Sequence, residues 1–350
     1  MKLVSIHDLS NGMILGEDIM NNDGVIFLTR GVILTDRNIR SLGQFGIDFV
    51  YIMDGKETIE DTVQAALDTP EAKLNKEYNH TINSFKDLYN NVKLGKQVVI
   101  DEVEENIQPL LTDIMANNNI LGSLRMIQIS DEYTYMHSVN VGLISTMIGK
   151  WLGFSETDLG NLALAGFMHD LGKSKVPNEI INKPAKLTVE EFEIIKMHPV
   201  HGHEILTKSD NVNIDIMLGV LEHHERMDGK GYPNGTKGDG IHEFARIIAV
   251  ADVFDALTSN RVYKSKLSPF RVAEMLMEEA VGHLDPMITQ TFLRNIANFY
   301  VGNKVRLNNG EIGEVIMVNK FNFTRPLVKV KDKFFDLASN YHLEIIEVID

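Results

Sequence analysis

The apolar residues of this chain keep helical spacing through its middle and strand alternation at its two ends, which limits the fold before any single residue is interpreted. Within residues 56–120, Leu74, Tyr78, Ile82, Phe85, Tyr89 and Val92 recur at spacings of three and four, and Val103, Ile107, Leu110 and Ile114 repeat the pattern. Each series draws one apolar stripe along an otherwise polar helix. Such a stripe needs a cover, either the neighbouring domain or the matching face of a second copy in a homodimer. Asn117-Asn118-Asn119 then reads as a turn into a mainly helical segment over 121–300.

The ends read differently. Val25-Ile26-Phe27-Leu28, between Asp23-Gly24 and Gly31, followed by Val32-Ile33-Leu34, predicts short paired strands around a turn. Thr35 or Asp36 can cap a helix that buries Ile39 and Leu42 before Gly43 and Gly46, and Phe49-Val50-Tyr51-Ile52 returns as a strand. At the C-terminal end Lys304-Val305-Arg306-Leu307, an Asn308-Asn309-Gly310 turn, Glu314-Val315-Ile316-Met317-Val318 and Leu327-Val328-Lys329-Val330 alternate as strands. The expected fold is therefore α+β and predominantly α, in four segments: a small β-rich unit over 1–55, a helical regulatory or linker region over 56–120, an all-helical catalytic domain over 121–300 and a small β unit over 301–350. Neither β unit holds a catalytic constellation. The first reads as a sensory or packing module, and the last as a structural piece that closes the helical domain or joins a dimer.

Composition narrows the chemistry. At 350 residues and 44% hydrophobic content there is room for two or three ordinary globular domains. With 34 Lys plus Arg against 49 Asp plus Glu, the net charge of −15 argues against duplex nucleic acid as a partner, and an anionic substrate would need local cations. There is no cysteine, so disulfides and thiolate-bound zinc are excluded, and imidazole and carboxylate are left as the strong metal ligands. This suits a cytoplasmic protein. No charged-then-apolar segment opens the chain and no run approaches the roughly 20 apolar residues of a membrane helix, so a soluble protein without a membrane partner is expected.

Metal-type residues concentrate in the helical middle. His223-His224-Glu225-Arg226-Met227-Asp228-Gly229-Lys230-Gly231-Tyr232-Pro233 places two adjacent imidazoles and two acids before a glycine-rich turn. Adjacent histidines point in different directions on a helix or a strand and each ring needs a polar partner, so a metal is the economical explanation. An apolar helix from Asn161 delivers His169 and Asp170 side by side near its end; a carboxylate can bridge two metals while the imidazole binds one. His137, His198 in His198-Pro199-Val200-His201-Gly202, and Asp252 in Val250-Ala251-Asp252-Val253-Phe254-Asp255 extend the series. By spacing alone His201 could rival His198. His7, His80, His242, His283 and His342 lack metal-type neighbours, and no serine stands in a recognisable triad.

Over about 125–290 the series His169-Asp170-x-Gly172-Lys173, His198-Pro199-x-x-Gly202, His223-His224-Glu225-x-x-Asp228-Gly229-x-Gly231-Tyr232-Pro233 and Asp252-x-x-Asp255-Ala256-Leu257-Thr258 resembles the HD-GYP family, a subgroup of the HD-domain metal-dependent phosphohydrolases. Arg261-Val262-Tyr263-Lys264 is similar to the family's Arg-x-Tyr-Lys/Arg tract, with Val262 where a proline is common. The resemblance implies a bacterial signalling enzyme that hydrolyses cyclic di-GMP. It implies His137, His169, Asp170, His198, His223, His224 and Asp252 as metal ligands, with Asp170 bridging. Seven such donors suit two divalent transition metals about 3.5–4 Å apart, and a hydroxide bridging them would attack the phosphodiester. Iron, or alternatively manganese, fits imidazole and carboxylate. Asp255 and Thr258 are expected to orient the ligands around Asp252.

One position departs from the pattern. Members with a third metal carry a glutamate four residues before the first histidine; here Tyr133 stands there and Glu132 is one place off, about 100° around a helix. Two metals are therefore expected, with linear pGpG as the main product and GMP as the further one. Lys173 is the candidate to touch the scissile phosphate or protonate the departing 3′ oxygen, and Arg261 and Lys264 are candidates for other phosphate contacts. Tyr232 could stack on guanine, meet a partner or pack beneath its loop. Two alternatives stay open: a phosphodiesterase for another cyclic dinucleotide such as cyclic GMP-AMP, and a non-catalytic cyclic-di-GMP-binding scaffold that engages a diguanylate cyclase through Gly231-Tyr232-Pro233. No receiver, flavin or haem motif marks a regulatory signal in residues 1–120.

Overall fold

The computed structural model describes residues 1–20, 26–28, 30–35, 38–40, 42, 47–53, 70–116, 133–258, 268–319 and 322–349. The chain divides into two units, Met1–Lys76 and Glu77–Asp350. In the first, β1 (Lys2–Ser5) pairs antiparallel with β4 (Phe49–Ile52), and β2 (Ile19–Met20) with β3 (Ile26–Leu28). Leu15, Ile19, Leu34, Leu42, Val50 and Ile52 form its core. The pairing around Gly31 differs from the expected hairpin: Leu34 N–H donates to the Met13 carbonyl and Leu15 N–H to the Val32 carbonyl, so Val32-Ile33-Leu34 lies beside Met13–Leu15 and β3 turns to β2 instead. Burying Leu15 and Leu34 together decides this, because both are fully enclosed. Thr35 caps the following helical turn through its hydroxyl, which accepts from Asn38 N–H at 3.3 Å. Asp23, Gly24, Val25, Asp36, Gly43 and Gly46 lie outside the described residues.

The helices are α1 (Pro70–Lys93), α2 (Ile100–Ala116), α3 (Tyr133–Leu152), α4 (Glu156–Met168), α5 (Asn178–Ile181), α6 (Val189–Ile195), α7 (His198–Thr207), α8 (Ile214–Glu222), α9 (Glu243–Thr258), α10 (Pro269–Ala280) and α11 (Pro286–Phe299). Side chains at their starts explain several boundaries: Ser155 caps α4, Thr188 and Glu191 form a reciprocal capping box at α6, and Asn213, Ser268 and Asp285 cap α8, α10 and α11. Gly142 and Gly166 let α3 and α4 approach backbone to backbone; a Cβ on Gly166 would stand 2.8 Å from Gly142 Cα. Buried Ile247, Ile248, Val250 and Ala251 make α9 a core helix, packed on α3 and α8.

From Tyr78 onward the stripes of α1 and α2 are covered within the second unit. Tyr78, Ile82, Phe85 and Val92 are buried, as are Val103, Ile107, Leu110 and Ile114, and Phe85 and Tyr89 meet Tyr135 of α3 edge-on. Intramolecular packing therefore accounts for these stripes. Residues 56–69 and Asn117-Asn118-Asn119 lie outside the described residues. The C-terminal sheet is antiparallel in the order β8 (Lys333–Asp336), β7 (Leu327–Val330), β6 (Ile312–Met317), β5 (Lys304–Leu307), β9 (Ile345–Ile349), with Gly310 at positive φ in the expected turn. Its strands β8 and β9 were not expected from the sequence. Among the described residues no helix is long and apolar enough to cross a membrane.

Candidate metal centre

Three of the clustered histidines are set by one local device. His169 follows the end of α4, His223 follows the end of α8, and His198 comes three residues after α6. The last carbonyls of a helix have no intrahelical donor, and a histidine just past the end can supply one from its ring. His169 Nδ1 donates to the Gly166 carbonyl, His198 Nδ1 to that of Ile195 and His223 Nδ1 to that of Val220, each at 2.7 Å. A carbonyl only accepts, so Nδ1 carries the proton and Nε2 of the neutral ring presents a bare lone pair. All three Nε2 atoms turn inward, the orientation of a metal ligand held by its outer shell.

His137, on α3, is fixed by a carboxylate instead. Its Nδ1 faces Asp255 Oδ2 at 2.7 Å, and its Nε2 faces Asp252 Oδ1 at 3.1 Å. Asp255 Oδ1 accepts from Asn140 Nδ2 at 2.8 Å. Asp255 thus orients the ligand candidate beside Asp252, because residues 252 and 255 project from neighbouring turns of α9 toward the same α3 residue. The expected outer shell is corrected at Thr258, whose hydroxyl donates to the carbonyls of Phe254 and Asp255 in its own helix and to no proposed ligand among the described residues.

Asp170 joins the set. Its Oδ1 lies 3.3 Å from His198 Nε2, and its Oδ2 lies 3.4 Å from His169 Nε2 and 3.8 Å from His137 Nε2. Two triads have donor atoms close enough to share a cation each: His198, His223 and His224, and His137, His169 and Asp170. Asp170 therefore stands between them. Asp252 belongs to neither triad but borders the second through His137. His169 Nε2 and Asp170 Oδ1 are buried without a hydrogen-bond partner, a costly arrangement that a cation would relieve.

The charge states agree. Burial pushes His198 down to about 3 and His224 down to about 4, and burial also holds His223 well below the ordinary histidine range. These rings stay neutral and keep their lone pairs. Burial opposes the charge on Asp170, yet Lys173 and the surrounding imidazoles outweigh it and hold the carboxyl well below the usual carboxylate range. Asp252 is likewise lowered, burial being overcome by the hydrogen bond to His137. Burial also opposes a charge on His137, but Asp252 and Asp255 raise it well above the ordinary value. The neutral rings of His198, His223 and His224 and the ionised Asp170 and Asp252 make, without a thiolate, a donor set for a divalent transition metal, and a cation would take the place of the proton on His137.

Around this centre the glycine-rich stretch forms a wall. A Cβ on Gly231 would run into the backbone of His224, Glu225 and Arg226, so the glycine is required by close approach. Tyr232 N–H donates to the His224 carbonyl at 3.2 Å, and the half-buried Tyr232 ring leans on the His224 ring with centroids 4.7 Å apart. The phenol thus packs against a proposed ligand. Gly172 lies against the His198 carbonyl and the Gly202 amide with no room for a side chain, which locks the His-Asp turn onto α7. Lys173 Nζ donates to Asp170 Oδ2 at 2.5 Å and is 28% exposed, so it reaches both the centre and solvent.

His201 pairs with Glu204 at 3.5 Å and His203 contacts Thr207; neither joins the cluster, and His198 occupies the inward position. Arg261, Lys264 and Glu132 lie outside the described residues. Sequence reasoning missed Asn140, Tyr78 and the buried side chain of Glu225. Tyr78 O–H donates to Asn140 Oδ1 at 2.7 Å, and Glu225 Oε1 accepts from Asn234 N–H at 2.7 Å, tying the histidine pair to its loop. The placement of Asn140 three residues after His137 was the one available signal.

Residues 123–288 match the HD domain family. The chain is 35% identical over 254 residues to a cyclic di-GMP phosphodiesterase from Pseudomonas aeruginosa, covering 72% of this chain and 60% of that protein. It is 34% identical over 167 residues to a 3′3′-cGAMP-specific phosphodiesterase from Vibrio cholerae, covering 47% of this chain and 32% of that protein. The chain thus spans only part of the length of these relatives. In structure it resembles an HDG"Y"P protein from Bdellovibrio bacteriovorus, with a TM-score of 0.55 at 18% identity, covering 83% of this chain and 97% of that one. That likeness concerns the fold.

Proposed function

Because the chain belongs to the HD-domain family, in its HD-GYP group, we propose that it is a metal-dependent phosphodiesterase that hydrolyses cyclic di-GMP to linear pGpG. The observation that carries this reading is the placement of Asp170 between two triads of inward-facing donors. A carboxylate so placed is suited to two cations, and we propose His137, His169, Asp170, His198, His223, His224 and Asp252 as the ligands, with iron favoured and manganese the alternative. When bound, such metals lower the pKa of water and neutralise charge on a phosphodiester.

The protein's own groups prepare that chemistry. Backbone carbonyls hold the rings of His169, His198 and His223, and Asp255 holds that of His137, so that each ring has its orientation set before a cation arrives. Lys173 places an ammonium beside Asp170, where it can contact the scissile phosphate or give a proton to the departing 3′ oxygen. The Tyr232 wall borders the proposed substrate cleft, and Arg261 and Lys264 are proposed for further phosphate contacts. The half-buried ring of Tyr232 favours a role in this wall over docking to a diguanylate cyclase. We assign catalysis to the segment 121–300, and the absence of cysteine suits a reducing cytoplasm.

The similarity to a 3′3′-cGAMP-specific enzyme supports a second reading with the same centre and a different base preference. Side-by-side turnover of cyclic di-GMP and 3′3′-cGAMP by manganese- or iron-loaded protein decides between them. A higher kcat/KM for cyclic di-GMP with accumulation of pGpG is expected. Preference for the mixed dinucleotide would establish the second reading, and tight binding without cleavage of either would make the protein a scaffold.

A further inference from the structure

The segment matched to the HD domain begins at residue 123, yet a residue well before it reaches the ligand shell. Tyr78, on α1, is 2% exposed, and its hydroxyl donates to Asn140 Oδ1 at 2.7 Å. Asn140 Nδ2 donates in turn to Asp255 Oδ1 at 2.8 Å. Asp255 Oδ2 accepts from His137 Nδ1 at 2.7 Å, and His137 Nε2 points into the second triad. Each link has only one workable direction. The carboxylate can only accept, so Asn140 must turn its amide N–H₂ toward it, and the amide oxygen is then left to accept from a donor on the other side. The tyrosine hydroxyl is that donor. Burial, and next the Asp255 carboxylate, push its pKa upward, so it keeps its proton.

We propose that Tyr78 is a positioning residue for the metal ligand His137, acting through Asn140 and Asp255. Without the hydroxyl, the Asn140 amide oxygen loses its donor and the amide is held at one end only, by Asp255. An amide so held is freer to swing away from the Asp255 carboxylate, which loosens the group that holds the His137 ring. Metal affinity in this chain therefore depends on a helix outside the matched segment. The inference rests on the reading of the cluster as a metal centre and does not depend on which cyclic dinucleotide is cleaved.

The test is calorimetric titration of Mn²⁺ into the metal-free full chain, for the parent, Tyr78→Phe, Asn140→Ala and the double variant, with thermal unfolding of each metal-free protein alongside. Tyr78→Phe is expected to weaken Mn²⁺ binding about 10-fold, the lower end of the usual effect of an outer-shell partner. Because the two residues act in series, the double variant is expected to bind no more weakly than Asn140→Ala alone. A Tyr78→Phe protein that melts lower but binds Mn²⁺ like the parent would overturn the inference and leave Tyr78 a packing residue. Losses that multiply in the double variant would also overturn it. A parent that takes up no Mn²⁺ would instead overturn the metal reading on which the inference stands.

Discussion

His198 and His223 face each other Nε2 to Nε2 at 3.2 Å, although each ring has already committed its Nδ1 proton to a backbone carbonyl. Two bare lone pairs at that distance repel. A proton could separate them, but burial holds both rings well below the ordinary histidine range. The pair is therefore arranged for a metal cation, and the same argument extends to the partnerless Nε2 of His169 and Oδ1 of Asp170.

Acid should unfold the metal-free protein early. Burial holds His198 at about 3 and His224 at about 4 in the fold, against the ordinary histidine value of 6.5. Below that value the unfolded chain takes up protons that the folded chain refuses, so stability falls as pH drops from 6.5 toward 4, by about 1.4 kcal/mol per pH unit for each such histidine. His137 has the opposite sign: its stabilisation is present below 6.5 and is lost as pH rises through its raised folded value. It leaves the acid arm unchanged. Denaturant midpoints across that window check this, and a flat profile would contradict the assigned charge states.

Gly231→Ala should damage the centre without touching a ligand. The added methyl would meet the backbone of His224, Glu225 and Arg226, and neither that backbone nor the Tyr232 amide bonded to it can give way cheaply. A stability loss of about 1–3 kcal/mol is expected from such overpacking, together with weaker metal retention through the displaced His224. Thermal unfolding and metal content of the purified variant would show it; parent-like values in both would mean that the loop is more accommodating than its packing implies.

Lys173→Met should separate binding of metal from turnover. The ammonium contacts Asp170 and is partly exposed, and its removal leaves the imidazoles in place. If it contacts the phosphate or protonates the leaving oxygen, kcat should drop about 10²-fold or more, with the metal content retained. An unchanged kcat would remove Lys173 from the reaction.

The number of metals can be counted. Two equivalents per chain are expected on anaerobically purified protein, and Glu132→Ala should leave that number unchanged. A reproducible third equivalent lost in the variant would overturn the expectation drawn from Tyr133.

The proposed ligands were legible because their chemistry is local: adjacent histidines, a His-Asp pair and an acid on a helix are each conspicuous in a chain without cysteine. What orients them was harder to read. Asp255 reads as a group that orients ligands around Asp252, and only the packing of α9 on α3 shows that the ligand it holds is His137. Tyr78 and Asp255 lie 62 and 115 residues from Asn140 and share no motif with it. Gly231 reads as one residue of a glycine-rich turn, and only the packing shows that it lets two backbone segments touch. In the C-terminal sheet, β8 was missed because its exposure does not alternate along the strand, so the two-residue period carried no signal there.

The most direct test of the account is turnover of cyclic di-GMP by iron- or manganese-loaded protein, comparing the parent with Asp170→Ala. The parent is expected to release pGpG. The variant, lacking the carboxylate that stands between both triads, is expected to lose metal and turnover together. Cleavage at the parent's rate by Asp170→Ala would contradict the central claim.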